Sequence, residues 1–359
     1  MIKNTKEIKN KTNMKALVFH GANNIALEDK PKPIILKETD AIVRITTTTI
    51  CGTDLHILRG DVPTIKDGRI LGHEGVGIID EVGKDIANFK IGDKVLISLI
   101  TSCGSCSFCK KTMFSHCING GWQLGNSIDG TQAEYVRIPF ADNSLYLLSA
   151  DIDEDAAVML SCILPTGLEC GSQSGQVKPG DIVAIVGAGP VGLATMLTSQ
   201  LYSPSEILMI DHNAYRLEAA HSFGAIKTVN SSDGKAAERV MELTKSAGVD
   251  VAIEAVGKSE TFDICQAIIA PGGHIANVGV HGKPVELHLE KLWGSNITIT
   301  TRLVDAGTTP MLLKMLDSGR LDAKKLVSHR FKLSEIIKAY DVFGNSSKEH
   351  SLKVAIKNS

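Results

Sequence analysis

No stretch of this 359-residue chain is apolar for the roughly 18 to 20 residues that a membrane-crossing helix needs. Residues 1 to 13, MIKNTKEIKNKTN, carry lysines without an apolar core, so they do not read as a secretory leader. Neither sign of charge dominates: 38 basic residues face 40 acidic ones, a net charge of -2, which gives no general attraction to nucleic acid. There is no internal repeat and no low-complexity segment, which argues against an interaction scaffold. These absences point to a soluble cytoplasmic enzyme long enough for two domains, each able to bury its own core. Residues 1–13 are expected to form a disordered tail, because they cannot bury apolar area.

What the chain does contain is clustered cysteine. Four of its eight cysteines fall within fifteen residues, as Cys103-Gly-Ser-Cys106-Ser-Phe-Cys109 followed by Cys117. Disulfides are the alternative, but a cytosolic chain keeps its thiols reduced, and clustered thiols there are better read as metal ligands. Four thiolates close a tetrahedron around zinc and leave no position for chemistry, so the cluster predicts a structural zinc lobe. Any catalytic metal must sit elsewhere.

The chain changes rhythm near residue 164. Before it lie short β-type runs bounded by glycine and proline: KALVFH (15–20), AIVRITTTTI (41–50), GVGIIDEVG (75–83) and KVLISLI (94–100). They predict a small, partly closed β-barrel carrying loops. After it, strands alternate with helices, the signature of a parallel sheet. DIVAIVGAG (181–189), EILMIDH (206–212), VDVAIEAVG (249–257) and GGHIANVGV (272–280) are the strands, with a helix at 259–269. Helices at 308–318 and 333–343 and a strand at 352–357 follow.

The first strand of the second half runs into Gly187-Ala-Gly189-Pro190-Val191-Gly192, a G-x-G-x-x-G that opens a helix. The first glycine permits the tight turn, the second admits a pyrophosphate to the backbone, and the third lets helix pack on strand. Asp211 ends the next strand, 24 residues after Gly187. A carboxylate there accepts hydrogen bonds from ribose hydroxyls and repels a 2′-phosphate, so NAD is expected over NADP. Arg216 can stack near the adenine.

Cys51, His73, Glu74 and Cys162 compose an open metal site: two sulfurs and an imidazole as ligands, a free fourth position, and a carboxylate beside them. Taken singly, each is more ordinarily a core or surface residue.

The ordered set Cys51-Gly-Thr53-Asp54-Leu-His56, Gly72-His73-Glu74, the cysteine lobe and the glycine motif resembles the zinc-dependent medium-chain alcohol dehydrogenase family from Met14 onward. The resemblance implies an α/β protein: a GroES-like β-barrel catalytic domain (14–163 and 304–359) with a doubly wound parallel-sheet Rossmann domain (164–303) inserted. By the same resemblance Cys51, His73 and Cys162 hold a catalytic zinc, with Glu74 a transient or outer ligand and Asp54 orienting His73. Thr53 binds the substrate oxygen, and His56 passes its proton to solvent. Val256, Val278, Gly279 and Val280 are expected at the coenzyme. Gly52 stands where many relatives place a polar or basic residue near the pyrophosphate, which implies weaker coenzyme binding. Arg302 falls in the segment that approaches the nicotinamide, and the sequence gives it no physical role. Bulky Leu99, Ile100 and Trp122 fall where related enzymes line their pockets.

The expected reaction is interconversion of small primary or secondary alcohols, aliphatic or aromatic, with aldehydes or ketones, by hydride transfer from a zinc alkoxide to NAD. Two zinc ions per chain and a homo-oligomer, dimer or tetramer, are implied. A polyol or threonine dehydrogenase is the nearest alternative. A zinc-free quinone reductase or a non-enzymatic dinucleotide-binding protein is the alternative of another class.

Overall fold

The computed structural model describes residues 13–225 and 227–358. Most of the expected tail, residues 1–12, lies outside the described residues. Asn13 departs from that expectation: it opens β1 (Asn13–Phe19) and pairs antiparallel with Pro31. Ladder hydrogen bonds rather than apolar burial hold it there.

The β-rich half comprises β1, β2 (Ile25–Pro31), β3 (Ala41–Ile50), β4 (Arg69–Ile70), β5 (Gly75–Val82), β6 (Lys94–Ile97), β7 (Tyr135–Ile138) and β8 (Leu145–Leu147). The strands of β3, β5, β6 and β8 run antiparallel in that order, and β7 pairs with β3. Val43 and Ile45 of β3 turn inward onto Ile79, Val95, Ile97 and Val136, while Arg44 between them is exposed. That alternation is what a half-buried strand requires.

The second half builds a parallel sheet from β9 (Ile182–Val186), β10 (Glu206–Asp211), β11 (Lys227–Asn230), β12 (Val249–Glu254), β13 (Ile269–Asn277) and β14 (Thr298–Thr301). Their spatial order is β11-β10-β9-β12-β13-β14, so the order reverses between β9 and β12. A crevice for ligands opens outside the strand ends at such a reversal. β13 begins and ends three residues earlier than the sequence pattern predicts, because the helix Ser259–Ile268 stops one residue short and Ile269 at once pairs with Val249. Val278–Val280 consequently lie in the loop beyond the strand, facing the crevice rather than the ladder.

The chain then returns to the first half through β15 (Val327–Lys332) and β16 (Lys353–Lys357), and β16 adds antiparallel to β3. The halves are not joined by a thin linker. Ala156–Leu160, Leu164 and Leu168 pack between Val76 and Leu96 of the barrel and Val183, Ile185 and Val251 of the parallel sheet, in one continuous core. Among the described residues no helix is long and apolar enough to cross a membrane.

Candidate active site and metal centres

Strand register brings the dispersed residues together. Thr48 of β3 faces Gly75 of β5, and Ile50 of β3 faces Val354 of β16. Cys51, His73-Glu74 and Lys353 therefore emerge at the same end of one sheet. Cys162 arrives from the core segment, where Ser161 fastens it to the barrel: its hydroxyl accepts from the Gly75 N–H at 3.1 Å, and its carbonyl accepts from the Leu99 N–H at 3.1 Å. The turn carrying His73 admits no side chain at Gly72, whose φ is +94° and whose added Cβ would lie 2.6 Å from Gln132.

Among the described residues, two groups of His, Cys and acidic side chains converge closely enough to hold an ion. In the first, ligand atoms of Cys51, His73, Glu74 and Cys162 all lie within 4.8 Å of one another. His73, Glu74 and Cys162 are buried. Burying a charge costs several kcal/mol unless it is paired. Here Glu74 Oε2 accepts from the Lys353 ammonium at 2.5 Å, and Lys353 also donates to the Ile50 carbonyl at 3.0 Å. Glu74 Oε1 has no hydrogen-bond partner among the described residues. A hydrogen bond from Cys162 holds the Cys51 thiol well below its ordinary pKa against the effect of burial, and the reciprocal contact pushes Cys162 up. Burial disfavours a charged His73, yet the Cys51 thiolate beside it lifts the imidazole to about 9. Two sulfurs, an imidazole and an orphaned carboxylate oxygen in a buried space fit a tetrahedral soft dication.

Asp54 Oδ2 accepts from the Cys51 N–H at 2.9 Å and from Gln132 at 3.0 Å, while its Oδ1 stands 3.9 Å from His73 Nδ1 and makes no hydrogen bond among the described residues. Thr53 Oγ1 lies 3.7 Å from Cys51 Sγ. His56 Nδ1 is held 2.9 Å from Asp61.

The second group is the cysteine lobe. Its sulfurs stand 4.0 Å (Cys103–Cys109), 3.5 Å (Cys106–Cys109) and 4.0 Å (Cys106–Cys117) apart. A tetrahedron with zinc–sulfur bonds of about 2.3 Å has edges of about 3.8 Å, so the spacing fits. The Cys103 and Cys109 N–H groups donate to Cys117 and Cys106 sulfurs at 3.3 and 3.5 Å.

A cavity of about 980 Å³ joins the two halves. Its barrel wall carries Cys51, Gly52, Thr53, His56, His73 and Cys162, with apolar Leu99, Ile100 and Trp122 beside them. Trp122 meets the His73 ring edge-on, centroids 6.2 Å apart. Its opposite wall carries Pro190, Val191, Val256, Val278–Val280 and Arg302. Gly187, Gly189, Gly192, Asp211, Arg216 and Glu74 do not line it.

The glycine turn nonetheless has the shape a dinucleotide needs. Gly187 has φ +108°, and a Cβ on Gly192 would fall 1.7 Å from the Gly187 carbonyl, whereas above Gly189 only the Arg216 guanidinium approaches, at 3.6 Å. Asp211 is buried, and its two oxygens accept the Ala188 and Asn213 N–H groups at 2.8 Å each. Arg216 is turned to Ser346, to which it donates at 2.8 Å.

Sequence reasoning missed three features. Lys353 opens the strand KVAIK and, unlike Lys357 at the other end, is fully buried, which the sequence does not distinguish. The lobe is expected only to hold a loop, but Lys111, Thr112, Met113 and His116 from it form part of the cavity wall. Arg302 acquires a partner, Asp305, at 3.0 Å.

The comparisons with known proteins agree with this geometry. The alcohol dehydrogenase GroES-like domain matches residues 37–148, and the zinc-binding dehydrogenase domain matches 190–318. An alcohol dehydrogenase of Cupriavidus necator is 36% identical, over 96% of this chain and 98% of its own. An NADP-dependent isopropanol dehydrogenase of Thermoanaerobacter brockii is 32% identical over 90% of this chain and 93% of its own. The solved apo structure of zinc dependent alcohol dehydrogenase 2 from Streptococcus pneumonia superposes with a TM-score of 0.92 at 55% identity, covering 96% of this chain and 99% of that one. Carrying both domains at these identities over nearly its whole length, the chain belongs to the zinc-dependent medium-chain alcohol dehydrogenase family.

Proposed function

We propose that this chain is an NAD-linked dehydrogenase that interconverts small primary or secondary alcohols with aldehydes or ketones. The observation that carries the proposal is the cavity: Cys51, His73 and Cys162, which cluster with Glu74, line one side, and the loops beyond the parallel strands form the other. In this reading Cys51, His73 and Cys162 hold the catalytic zinc, and Cys103, Cys106, Cys109 and Cys117 hold a structural one. Bound zinc would act as a Lewis acid on the substrate oxygen and lower the pKa of a hydroxyl there.

The chain's own residues do the rest. Lys353 neutralises Glu74 and ties it back to the barrel, leaving one carboxylate oxygen toward the cluster. Thr53, whose Oγ1 lies 3.7 Å from Cys51 Sγ, hydrogen-bonds the substrate oxygen, and His56, oriented by Asp61, passes the proton released from the substrate to solvent. Leu99, Ile100 and Trp122 exclude water and set an apolar pocket, which favours small aliphatic or aromatic alcohols over polyols. Val278–Val280 and Val256 support the nicotinamide end of the coenzyme. Asp211 at the end of β10 supports NAD as the coenzyme, since a 2′-phosphate would meet its charge. All eight cysteines are free, which accords with a cytoplasmic protein. A homo-oligomer, dimer or tetramer, belongs to the same reading.

The test is a panel of primary, secondary and aromatic alcohols and polyols, assayed with NAD and with NADP on protein of measured zinc content. Two zinc per chain and NAD-linked oxidation of small alcohols are expected. One zinc per chain, or turnover confined to polyols or to NADP, overturns the corresponding part.

A further inference from the structure

A buried carboxylate outside the ligand cluster organises the coenzyme side of the cavity. Glu169 is 1% exposed, in the π-helical turn Gly167–Gln173. That turn is seated firmly, because a Cβ at Gly167 would come within 2.6 Å of the Thr195 nitrogen and one at Gly171 within 2.6 Å of the Thr195 side chain. Isolated π turns often mark functional sites. A carboxylate so deeply placed needs partners: among the described residues its hydrogen-bond donors come from one distant loop, and the Arg302 guanidinium stands 3.7 Å from its Oε2. The Asp305 and Ala306 N–H groups donate to Oε2 at 2.8 and 3.2 Å, and the Thr308 N–H and hydroxyl donate to Oε1 at 2.9 Å each.

The loop is held in a shape it would not choose. Ala306 has φ +58°, a left-handed conformation that residues with a Cβ rarely adopt. Such conformations persist where surrounding contacts over-determine them, and they gather at functional sites. Tyr146 adds a bond to the Ala306 carbonyl at 3.2 Å. Asp305 Oδ1 accepts from the Ser115 N–H and hydroxyl of the cysteine lobe at 2.9 and 2.7 Å, and its Oδ2 accepts from Arg302 at 3.0 Å. Arg302 to Asp305 form cavity wall on the side of Val278–Val280.

We propose that Glu169 is a positioning residue for the coenzyme: by fixing the 305–308 backbone it sets Asp305, which in turn aims Arg302 and joins the coenzyme wall to the cysteine lobe. The inference rests on the reading of Val278–Val280 as coenzyme contacts. The Glu169 side chain touches neither substrate nor cavity, so its effect falls on binding of the coenzyme rather than on the chemical step.

Glu169→Gln keeps the shape but turns an amide NH₂ toward N–H donors on one side. Purified at wild-type zinc content, it should bind NADH about tenfold more weakly by fluorescence titration, with a matching rise in KM for NAD and kcat within about threefold, a loss of ~1.4 kcal/mol. Amide hydrogen exchange of 305–308 should quicken while β9–β13 stay protected. Asp305→Asn, which keeps the Glu169 bonds but weakens the Arg302 pair, should show the coenzyme effect without the exchange effect and serves if the Gln variant does not fold. Unchanged NADH affinity in both variants overturns the proposal, as does unchanged exchange at 305–308 in the Gln variant. Wild-type protein that binds neither NADH nor NADPH overturns the functional reading instead, and the exchange data still judge the brace.

Discussion

The two sulfur sites are built in opposite ways. The lobe draws four ligands from fifteen consecutive residues, and its geometry needs little beyond its own backbone: N–H groups of the loop donate to its sulfurs. The other site draws Cys51, His73 and Cys162 from the ends of strands and from the core segment between domains, and it depends on β16 for Lys353. A site made of neighbours is insensitive to the rest of the fold. A site made of distant parts inherits every error in register, but it can be placed at the bottom of a cavity where two domains meet. On the proposed function, the first serves for bracing and the second for chemistry.

Four experiments sharpen or break this contrast. Cys51→Ser should lower alcohol oxidation by at least about 1,000-fold, ~4 kcal/mol, because the dispersed metal is lost. Metal analysis should still find the lobe ion, and loss of both ions would show that the two sites are not independent. Lys353→Met removes the one cation bonded to Glu74 among the described residues, and should destabilise the protein by about 3 kcal/mol in denaturant titration, toward the low end for a broken buried pair. Cys106→Ser should release only the lobe ion and cost about 2 kcal/mol of thermal stability, with catalytic turnover falling less than in Cys51→Ser. An equal fall would place the lobe within the reaction itself.

The smallest effect concerns acid. Asp155 is ion-paired to Arg330 at 2.6 Å and to Lys357 at 2.7 Å, joining the core helix before Cys162 to the returning strands. Burial opposes its charge, but Lys357 and Arg330 prevail and its pKa is lowered. A lowered pKa means that the stabilisation is complete above the unfolded value of about 3.9 and is lost as pH falls through the folded value. Wild type should therefore exceed Asp155→Asn by ~1 kcal/mol at pH 6, with the gap closing below about pH 4. A constant gap across that window would remove the ion pairs as its cause.

What could be read from the sequence follows the same division. The cysteine lobe and Gly187–Gly192 are local, and spacing alone announces their chemistry. Cys51, His73 and Cys162 carry no such spacing; what gathers them is their joint occurrence beside the lobe and the glycine motif, together with the family resemblance. β2 went unread because IALEDKP is charged and ends in proline; it is the edge of a three-stranded sheet, where a missing N–H costs no ladder bond. Glu169 was invisible for a different reason. Three of its four hydrogen-bond donors are backbone N–H groups 136 to 139 residues away, and backbone donors leave no mark in a sequence.

The pairing of Glu74 with Lys353 spans 279 residues. During synthesis the ligands of the lobe are all present once residue 117 has emerged, whereas Glu74 waits for β16 before its charge is matched. Vectorial folding tends to complete early regions first. On the proposed function the two metals would be put in order of delivery: the lobe has all of its cysteines on a growing chain, while the dispersed cluster is finished only after the inserted domain has been made and the last strand has closed over it. A half-made chain therefore cannot present a finished reactive centre.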